Sequence, residues 1–425
     1  MKKLLLTFFG SISLSFCFAQ KTYIWCGTLI DGISNEPIKN MTIVVEKNKI
    51  IAVTNGFSTA GPGDKSIDLK SKTVTPGWID MHVHFEQETK KGNLADRFTL
   101  NPADVAFESI KYANVTLLAG FTSVRDLGGS GVNISLRNAI NKGLVMGPRI
   151  YTAGKAIGTT GGHADPTNGF RKDLMGDPGP KEGVINGVED AYQAVRQRYK
   201  EGSDLIKITA TGGVLSQAKD GANAQFTEAE IKAIVATAKD YGFKVAAHAH
   251  GAEGMKRAIR AGVNSIEHGT FMDDEGMQLM KQYGTYLVPT ITAGKATADS
   301  AKIPGYYSDI VTPKALTTGL QIQATFAKAY KAGVKIAFGT DAGVFQHGKN
   351  WIEFGYMIEA GMPAMEAIKA ATISAAELLG EKDKLGSIEI GKLADIVAVD
   401  GDPLKDATIF GKVVFVMKDG IVYKQ

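Results

Sequence analysis

Short apolar runs in the middle of the chain alternate with longer stretches whose apolar positions recur every three or four residues. Runs of the first kind are typical of buried strands, and stretches of the second kind are typical of amphipathic helices. The pattern predicts eight strands, at 77–85, 122–126, 149–153, 205–210, 244–248, 265–268, 286–289 and 335–341, with helices that include 190–200, 227–240 and 254–261. The helix at 227–240 opens with Thr227 and Glu230, the spacing of a capping box. Eight strands alternating with helices predict an α/β fold, a (β/α)8 TIM barrel.

The two ends of the chain show a different pattern, in which β-type runs are separated by turn residues. The runs lie at 43–45, 50–53 and 66–69 near the start, and at 396–399, 413–416 and 421–423 near the end. Between the last two, Lys418-Asp419-Gly420 predicts a hairpin turn. Two β-rich ends around a different middle predict one small β-sandwich split by an insertion. The predicted organisation is a signal peptide at 1–19, sandwich segments at 20–75 and 385–425, and the barrel at 76–384.

The first residues are typical of a secretory signal. Lys2 and Lys3 precede an apolar stretch that ends in a small residue, Ala19, which predicts cleavage there and a periplasmic or secreted protein. An uncleaved membrane anchor would need a longer apolar run. A lipid anchor on Cys17 would need a small residue where Phe16 stands.

Composition and charge exclude several classes of protein. With 425 residues, 44% hydrophobic and 22% charged, the chain has the composition of an ordinary globular protein with a large core. Removal of residues 1–19 would take away two lysines and no acids, so the formal net charge would fall from +4 to +2. This balance gives no case for binding nucleic acid, nor for a membrane surface after cleavage. Cys26 would be left as a single cysteine, so no intramolecular disulfide is predicted.

Possible metal ligands stand at the ends of the predicted strands. They are His82 and His84 on the first strand, His248 and His250 on the fifth, His268 on the sixth and Asp341 on the eighth. Taken alone, each of these residues could equally be a structural residue of the core, the surface or a turn. Side chains at the carboxyl ends of barrel strands converge, however, and a His-x-His pair in a strand projects both rings onto one face. Imidazole and carboxylate groups without paired cysteines predict a site for zinc or a similar divalent ion.

Lys207 occupies an unusual place on the fourth predicted strand, between Ile206 and Ile208. An unpaired ammonium beside apolar packing is expensive. We therefore expect Lys207 to be carboxylated by carbon dioxide, so that it becomes an anion and bridges two metal ions. If Lys207 is instead an ordinary lysine whose amine reaches solvent, the site holds one metal and can still support hydrolysis.

These segments resemble the amidohydrolase superfamily, and within it the group that contains imidazolonepropionase and the metal-dependent Xaa-Pro dipeptidases. The matching stretches are 75–84, 122–128, 206–208, 212–214, 248–251, 265–269, 339–343 and 391–397. The resemblance implies that His82, His84 and Asp341 hold one metal, that His248 and His268 hold the second, and that carboxylated Lys207 bridges them. His248 and His250 both fit the spacing on the fifth strand. The resemblance favours His248 and leaves His250 as a substrate-facing or structural residue.

Three further residues are candidates near the same strand ends. Arg125 ends the second strand, where it could clamp a substrate carboxylate or form an ion pair with Asp126 or another neighbour. His163 lies in the long loop 158–187, which resembles the family's loop that reaches the substrate. His347 follows the eighth strand and is expected at the rim, away from the chemistry.

The expected protein is an exported hydrolase with two metal ions that cleaves dipeptides, Xaa-Pro or related, or N-acyl amino acids. Two divalent ions can lower the pKa of a bridging water, while Asp341 accepts its proton and passes it to the leaving amine. Two alternatives stay open: hydrolysis of a cyclic amide or lactone, as in imidazolonepropionase, and a barrel that binds a metal or small molecule without catalysis. The expected partner is a small substrate, and homo-oligomer formation is left open.

Overall fold

The computed structural model describes residues 20–92 and 95–425. The predicted signal peptide at 1–19 lies outside the described residues. Within the described ranges, no helix combines the length and the apolar character needed to cross a membrane.

Strands and helices alternate through most of the chain. The strands are β1 (Lys21–Leu29), β2 (Ile38–Glu46), β3 (Lys49–Asn55), β4 (Lys65–Pro76), β5 (Trp78–Val83), β6 (Phe121–Asp126), β7 (Arg149–Thr152), β8 (Gly158–Thr159), β9 (Val184–Ile185), β10 (Ile206–Thr209), β11 (Val245–Gly251), β12 (Ser265–Phe271), β13 (Tyr286–Val288), β14 (Ile396–Val399), β15 (Val413–Lys418) and β16 (Ile421–Lys424). The helices are α1 (Asp96–Thr99), α2 (Pro102–Leu118), α3 (Val132–Asn141), α4 (Lys172–Met175), α5 (Val188–Glu201), α6 (Glu228–Asp240), α7 (Ala252–Ala261), α8 (Asp274–Tyr283), α9 (Ile291–Ala301), α10 (Val311–Lys331), α11 (Ile352–Glu359), α12 (Ala364–Lys369) and α13 (Ala375–Leu379).

Both ends of the chain contribute to one seven-stranded sheet, in the order β16-β15-β14-β4-β1-β2-β3. Antiparallel pairing of β14 with β4 joins the C-terminal strands to the N-terminal ones. In the predicted turn between β15 and β16, Asp419 and Gly420 have φ angles of 52° and 76°. Such left-handed residues are what a tight hairpin requires, so the hairpin prediction is confirmed. The two-layer packing of a sandwich and the domain boundaries stay predictions.

The middle of the chain is an α/β structure with parallel strands. One sheet contains β5-β6-β7 and another contains β10-β11-β12-β13. A backbone hydrogen bond of 2.8 Å from Asp204 to Thr152 and a parallel bridge between Ile157 and Ile208 connect the two sheets. The predicted capping box of α6 is confirmed, because Thr227 and Glu230 exchange side chain to backbone hydrogen bonds.

The prediction of a regular eighth strand at 335–341 is wrong, because this segment of the chain is held by isolated bridges. Ile336 bridges Leu287 of β13, and Ala342 bridges Val83 of β5, so the segment lies between these two strands. Asp341 adopts a left-handed backbone conformation, with φ of 61°. A regular ladder of hydrogen bonds cannot continue through such a residue.

The β-rich unit of the two chain ends contacts the amino ends of the parallel strands. Trp78 at the start of β5 is fully buried, and its ring lies 5.7 Å from that of Phe410. Arg149 at the start of β7 forms ion pairs of 2.8 Å with Asp395 and 2.6 Å with Asp419. The carboxyl ends of the same parallel strands, where the candidate ligands lie, are therefore on the side away from this unit.

Candidate active site

The predicted ligands do come together at the carboxyl ends of the parallel strands. Oδ1 of Asp341 lies 3.4 Å from Nε2 of His82 and 3.2 Å from Nε2 of His84. The Lys207 amine lies 3.3 Å from the same Nε2 of His82. Among the described residues, two groups of three have their possible ligand atoms within 4.8 Å of one another. One group is His82, His268 and Asp341; the other is His248, His250 and His268. His268 belongs to both groups, so the two halves of the cluster are contiguous.

Each of these histidines has one ring nitrogen bonded to an oxygen of the chain. The bonds are His82 Nδ1 with Glu267 (3.0 Å), His84 Nδ1 with the Gly128 carbonyl (2.9 Å), His248 Nε2 with the Gly212 carbonyl (3.0 Å), His250 Nδ1 with Thr270 (2.8 Å) and His268 Nδ1 with Thr290 (2.7 Å). A carbonyl or carboxylate oxygen only accepts, so the ring nitrogen facing it carries the proton. In His82 and His84 this leaves a lone pair on Nε2, and in His248 it leaves one on Nδ1. In these three rings the chain thus fixes the tautomer that a metal ligand needs.

Burial controls the charge of the cluster. It holds the pKa of His82, His248 and His268 well below the ordinary value, and it lowers the pKa of His250 to about 3. These rings are therefore neutral near pH 7, which is the form that binds metals. At His84 burial also acts to lower the pKa, but the neighbouring Asp341 carboxylate outweighs it, so the pKa is raised above its ordinary value.

Lys207 is buried on β10, as its position in the sequence predicted. Burial lowers the pKa of its amine to about 8, although Glu267 and Asp341 act in the opposite direction. A lower pKa increases the fraction of neutral amine. The neutral amine is the form that can attack carbon dioxide.

Three residues at the same place have a strained backbone. His268, Thr290 and Asp341 are non-glycine residues with φ angles of 71°, 52° and 61°. Such conformations cost on the order of 1–3 kcal/mol each and persist where surrounding contacts impose them. Beyond Thr290, the buried carboxylate of Glu353 accepts hydrogen bonds from the backbone of Ile291 and Thr292 and so holds this turn in place.

The donor set fits a divalent metal centre. Among the described residues, Asp341 Oδ1 is buried and has no hydrogen-bond partner, although it faces two imidazole nitrogens. Buried carboxylate oxygens are rarely left unpartnered in folded proteins. Imidazoles around a carboxylate, with a buried lysine beside them, are ligands that zinc and similar ions accept.

The contacts of Arg125 do not match those of a residue that binds a substrate carboxylate. Its guanidinium donates to Glu267 at 2.7 Å, to Ser265 at 3.1 Å and to the Met81 carbonyl at 2.7 Å, and it is buried. The geometry favours the ion-pair alternative, with Glu267 as the partner in place of Asp126. Arg125 therefore supports Glu267, which in turn contacts His82.

Replacement of Glu267 by glutamine should destabilise the protein strongly. Glu267 and Arg125 are both buried, and removal of one partner from a buried pair costs roughly 3–5 kcal/mol because the other charge is left unpaired. Guanidinium unfolding of the metal-free protein measures this loss. The control is Asp173→Asn in the exposed pair of Asp173 with Arg171, for which no measurable change is expected. Equal stability of Glu267→Gln and the parent would contradict the assigned ion pair.

The remaining candidate histidines have different environments. His163 packs against His248, with ring centroids 4.4 Å apart, and its buried Nδ1 has no partner within the described part of the chain. His250 stacks on His268 at 4.9 Å. His347 is buried against Tyr112 and bonds the Gln87 carbonyl. His163 and His250 therefore adjoin the cluster, whereas His347 has its contacts elsewhere.

The chain belongs to the amidohydrolase family, whose model matches residues 73–423. Its fold is accordingly of the TIM-barrel type, and it is a hydrolase that acts on amide bonds. It is 33% identical to an ochratoxinase of Aspergillus niger over 96% of this chain and 87% of that protein. A solved structure of a Xaa-Pro dipeptidase with methionine bound in its active site is 55% identical, with a TM-score of 0.94 over 96% of this chain and 100% of that one. A prolidase complexed with N-methylphosphonate-L-proline is 32% identical, with a TM-score of 0.87 over 96% and 100% of the two chains.

Proposed function

We propose that this protein is an exported hydrolase with two metal ions that cleaves dipeptides, Xaa-Pro or related, or N-acyl amino acids. The observation that carries the proposal is the contiguous cluster in which Asp341 Oδ1, without a hydrogen bond, faces the Nε2 atoms of His82 and His84 beside Lys207. A closed eight-stranded barrel and a two-layer β-sandwich belong to the same proposal. The bridges of the segment 335–342 to β13 and β5 support the closed barrel.

His82, His84 and Asp341 would hold one divalent ion, zinc or a similar metal, and His248 and His268 would hold the second. Lys207, carboxylated by carbon dioxide, would bridge the two. The fixed ring nitrogens support this assignment, because His248 keeps a lone pair on Nδ1 when its Nε2 is bonded to the Gly212 carbonyl. His250 is bonded to Thr270 and stacks on His268, so we assign it to the substrate side.

When bound, such a pair of ions lowers the pKa of a water molecule and polarises the carbonyl of the scissile amide. Proton transfer and substrate contacts are assigned to residues of the chain. The Asp341 carboxylate accepts the proton of the attacking water and passes it to the leaving nitrogen, which otherwise would depart as a poor amide anion. His163 and His250 are neutral at pH 7. His163 has an unpartnered Nδ1 among the described residues, and His250 keeps its Nε2 beside the bond of Nδ1 to Thr270, so each has a ring nitrogen to offer a substrate.

The substrate class is supported by the similar proteins and by the shape of the site. The solved relatives include a Xaa-Pro dipeptidase and a prolidase complex with a proline derivative. His82, His248, His250 and His268 are all buried in this chain, as expected for a site that takes a small substrate. Export is proposed from the signal pattern at 1–19, and a mature secreted chain that still begins at Met1 would contradict it.

A combined metal and substrate measurement tests the proposal. Purified protein should contain two equivalents of a divalent metal and should hydrolyse members of a panel of Xaa-Pro dipeptides, other dipeptides and N-acyl amino acids. Cyclic amides and lactones form the comparison arm. Activity confined to that arm would replace the peptidase proposal by the cyclic-amide alternative. Two bound metals without turnover on any arm would support a binding protein.

A further inference from the structure

Lys314, in the first turn of α10, binds the loop that follows β10. Its amine donates to three backbone carbonyls of that loop, at 3.1 Å to Gly213, 2.7 Å to Ser216 and 2.7 Å to Ala218. A lysine ammonium has three protons, so these carbonyls use its whole donor capacity. Lys314 is therefore committed to the loop and is not available to a substrate.

The same loop contacts the histidine cluster through two adjacent glycines. The Gly212 carbonyl accepts the proton of His248 Nε2 at 3.0 Å. At Gly213 an added Cβ would lie 2.2–2.4 Å from ring atoms of His163, so only glycine lets that ring lie against the backbone. The rings of His163 and His248 are in turn 4.4 Å apart.

We propose that Lys314 is a positioning residue, which acts through Gly212 and Gly213 to fix the rings of His248 and His163. Lys314 holds the Gly213 carbonyl, and the rings of His248 and His163 contact the same Gly212-Gly213 dipeptide. Without Lys314, the loop keeps the bond of Gly212 N to the Asn223 carbonyl at its base (3.0 Å), its internal bonds to Asp220, and a 3.5 Å bond from Ser308 to Gln217. An effect of Lys314 on catalysis rests on the proposed function, in which His248 is a metal ligand and His163 faces the substrate.

The test is the substitution Lys314→Met, which keeps an unbranched stem and removes the donors. Lys244→Met is a matched control: Lys244 also donates to backbone carbonyls, those of Glu377 and Leu378, but it precedes β11 and lies at the opposite end of that strand from His248. Hydrogen exchange of the metal-free protein should rise at least tenfold in the loop 211–226 in Lys314→Met, and it should stay at the parental rate there in Lys244→Met.

Histidine resonances give a second readout that needs neither metal nor substrate. With ring-labelled histidine, Lys314→Met should shift the signals of His163 and His248 and leave that of His347 in place, since His347 bonds Gln87 and does not contact the loop. Gly213→Ala should displace the His163 signal even though Lys314 is retained. In a hydrolysing enzyme, kcat/KM of Lys314→Met should fall about tenfold to a hundredfold.

The outcomes separate this inference from the proposed function. Unchanged loop exchange and unchanged His163 and His248 signals in folded Lys314→Met would overturn the positioning role, even if the parent enzyme is active. Exchange that rises equally over the whole chain would also overturn it, because the effect would be general destabilisation. A parent that hydrolyses no amide would reject the proposed function, while the exchange and resonance results would still decide the role of Lys314.

Discussion

The substitution Asp341→Asn should lower kcat by about 10²–10⁴, the usual contribution of a general acid–base group. Asparagine has the same shape and tolerates the left-handed backbone of this position, where φ is 61°, about as well as aspartate does. Its amide oxygen can still face the nitrogens of His82 and His84, but it cannot accept and hold a proton near neutral pH. Metal content should therefore stay near the parental value while turnover falls.

Steady-state kinetics and metal quantification on the same preparation measure both parts of this prediction. Retained metal is the internal control, since it shows that the site is intact when turnover is lost. Parental kcat in Asp341→Asn would refute a proton-transfer role for Asp341. Loss of both metal and activity would assign the residue to binding alone.

The second large effect is expected for Lys207→Met, which should reduce the bound metal from two equivalents to one or fewer and abolish most activity. Methionine fills a buried site of similar length, so packing is largely retained. In the proposed site the substitution would remove an anion. The neutral Lys207 amine would form a bond to the carbon of carbon dioxide and release one proton, and without the resulting carbamate two divalent cations would repel each other with too little negative charge between them.

Metal reconstitution with and without bicarbonate provides the measurement. Parental protein should take up two equivalents in the presence of bicarbonate and fewer after removal of carbon dioxide. Lys207→Met should be insensitive to bicarbonate. Two equivalents in Lys207→Met, or bicarbonate-independent uptake by the parent, would contradict the bridging carbamate and leave an ordinary buried lysine beside a metal site.

Sequence patterns located most of the strands and the candidate ligands at their ends because both follow from local rules. Apolar runs mark buried strands, and a His-x-His spacing keeps two rings on one face whatever the surroundings. The hairpin turn at Asp419-Gly420 and the capping box of Thr227 and Glu230 are equally local, and both are confirmed. The irregular segment 335–341 could not be found in this way. Its bridges depend on its position between β5 and β13.

The residues that orient the ligands were not predicted, and the reason is geometric. Glu267 directly precedes His268, so an alternation of period two would place their side chains on opposite faces of the sheet. The left-handed backbone of His268 breaks that alternation, and Glu267 reaches His82 while His268 still belongs to the cluster. Arg125 was correctly placed at the carboxyl end of its strand, but its partner Glu267 is 142 positions away in the chain.

The sequence by itself determined the chemistry of this protein: histidines and an aspartate at strand ends, a lysine within an apolar strand, and motifs of the amidohydrolase family. Only the tertiary structure decided which ring nitrogen is free, which charge partners Arg125, and which loop Lys314 holds. Strand patterns reflect interactions between near neighbours, which the order of residues encodes directly. Hydrogen bonds between distant segments depend on side-chain directions that are set only when the parallel strands are packed together.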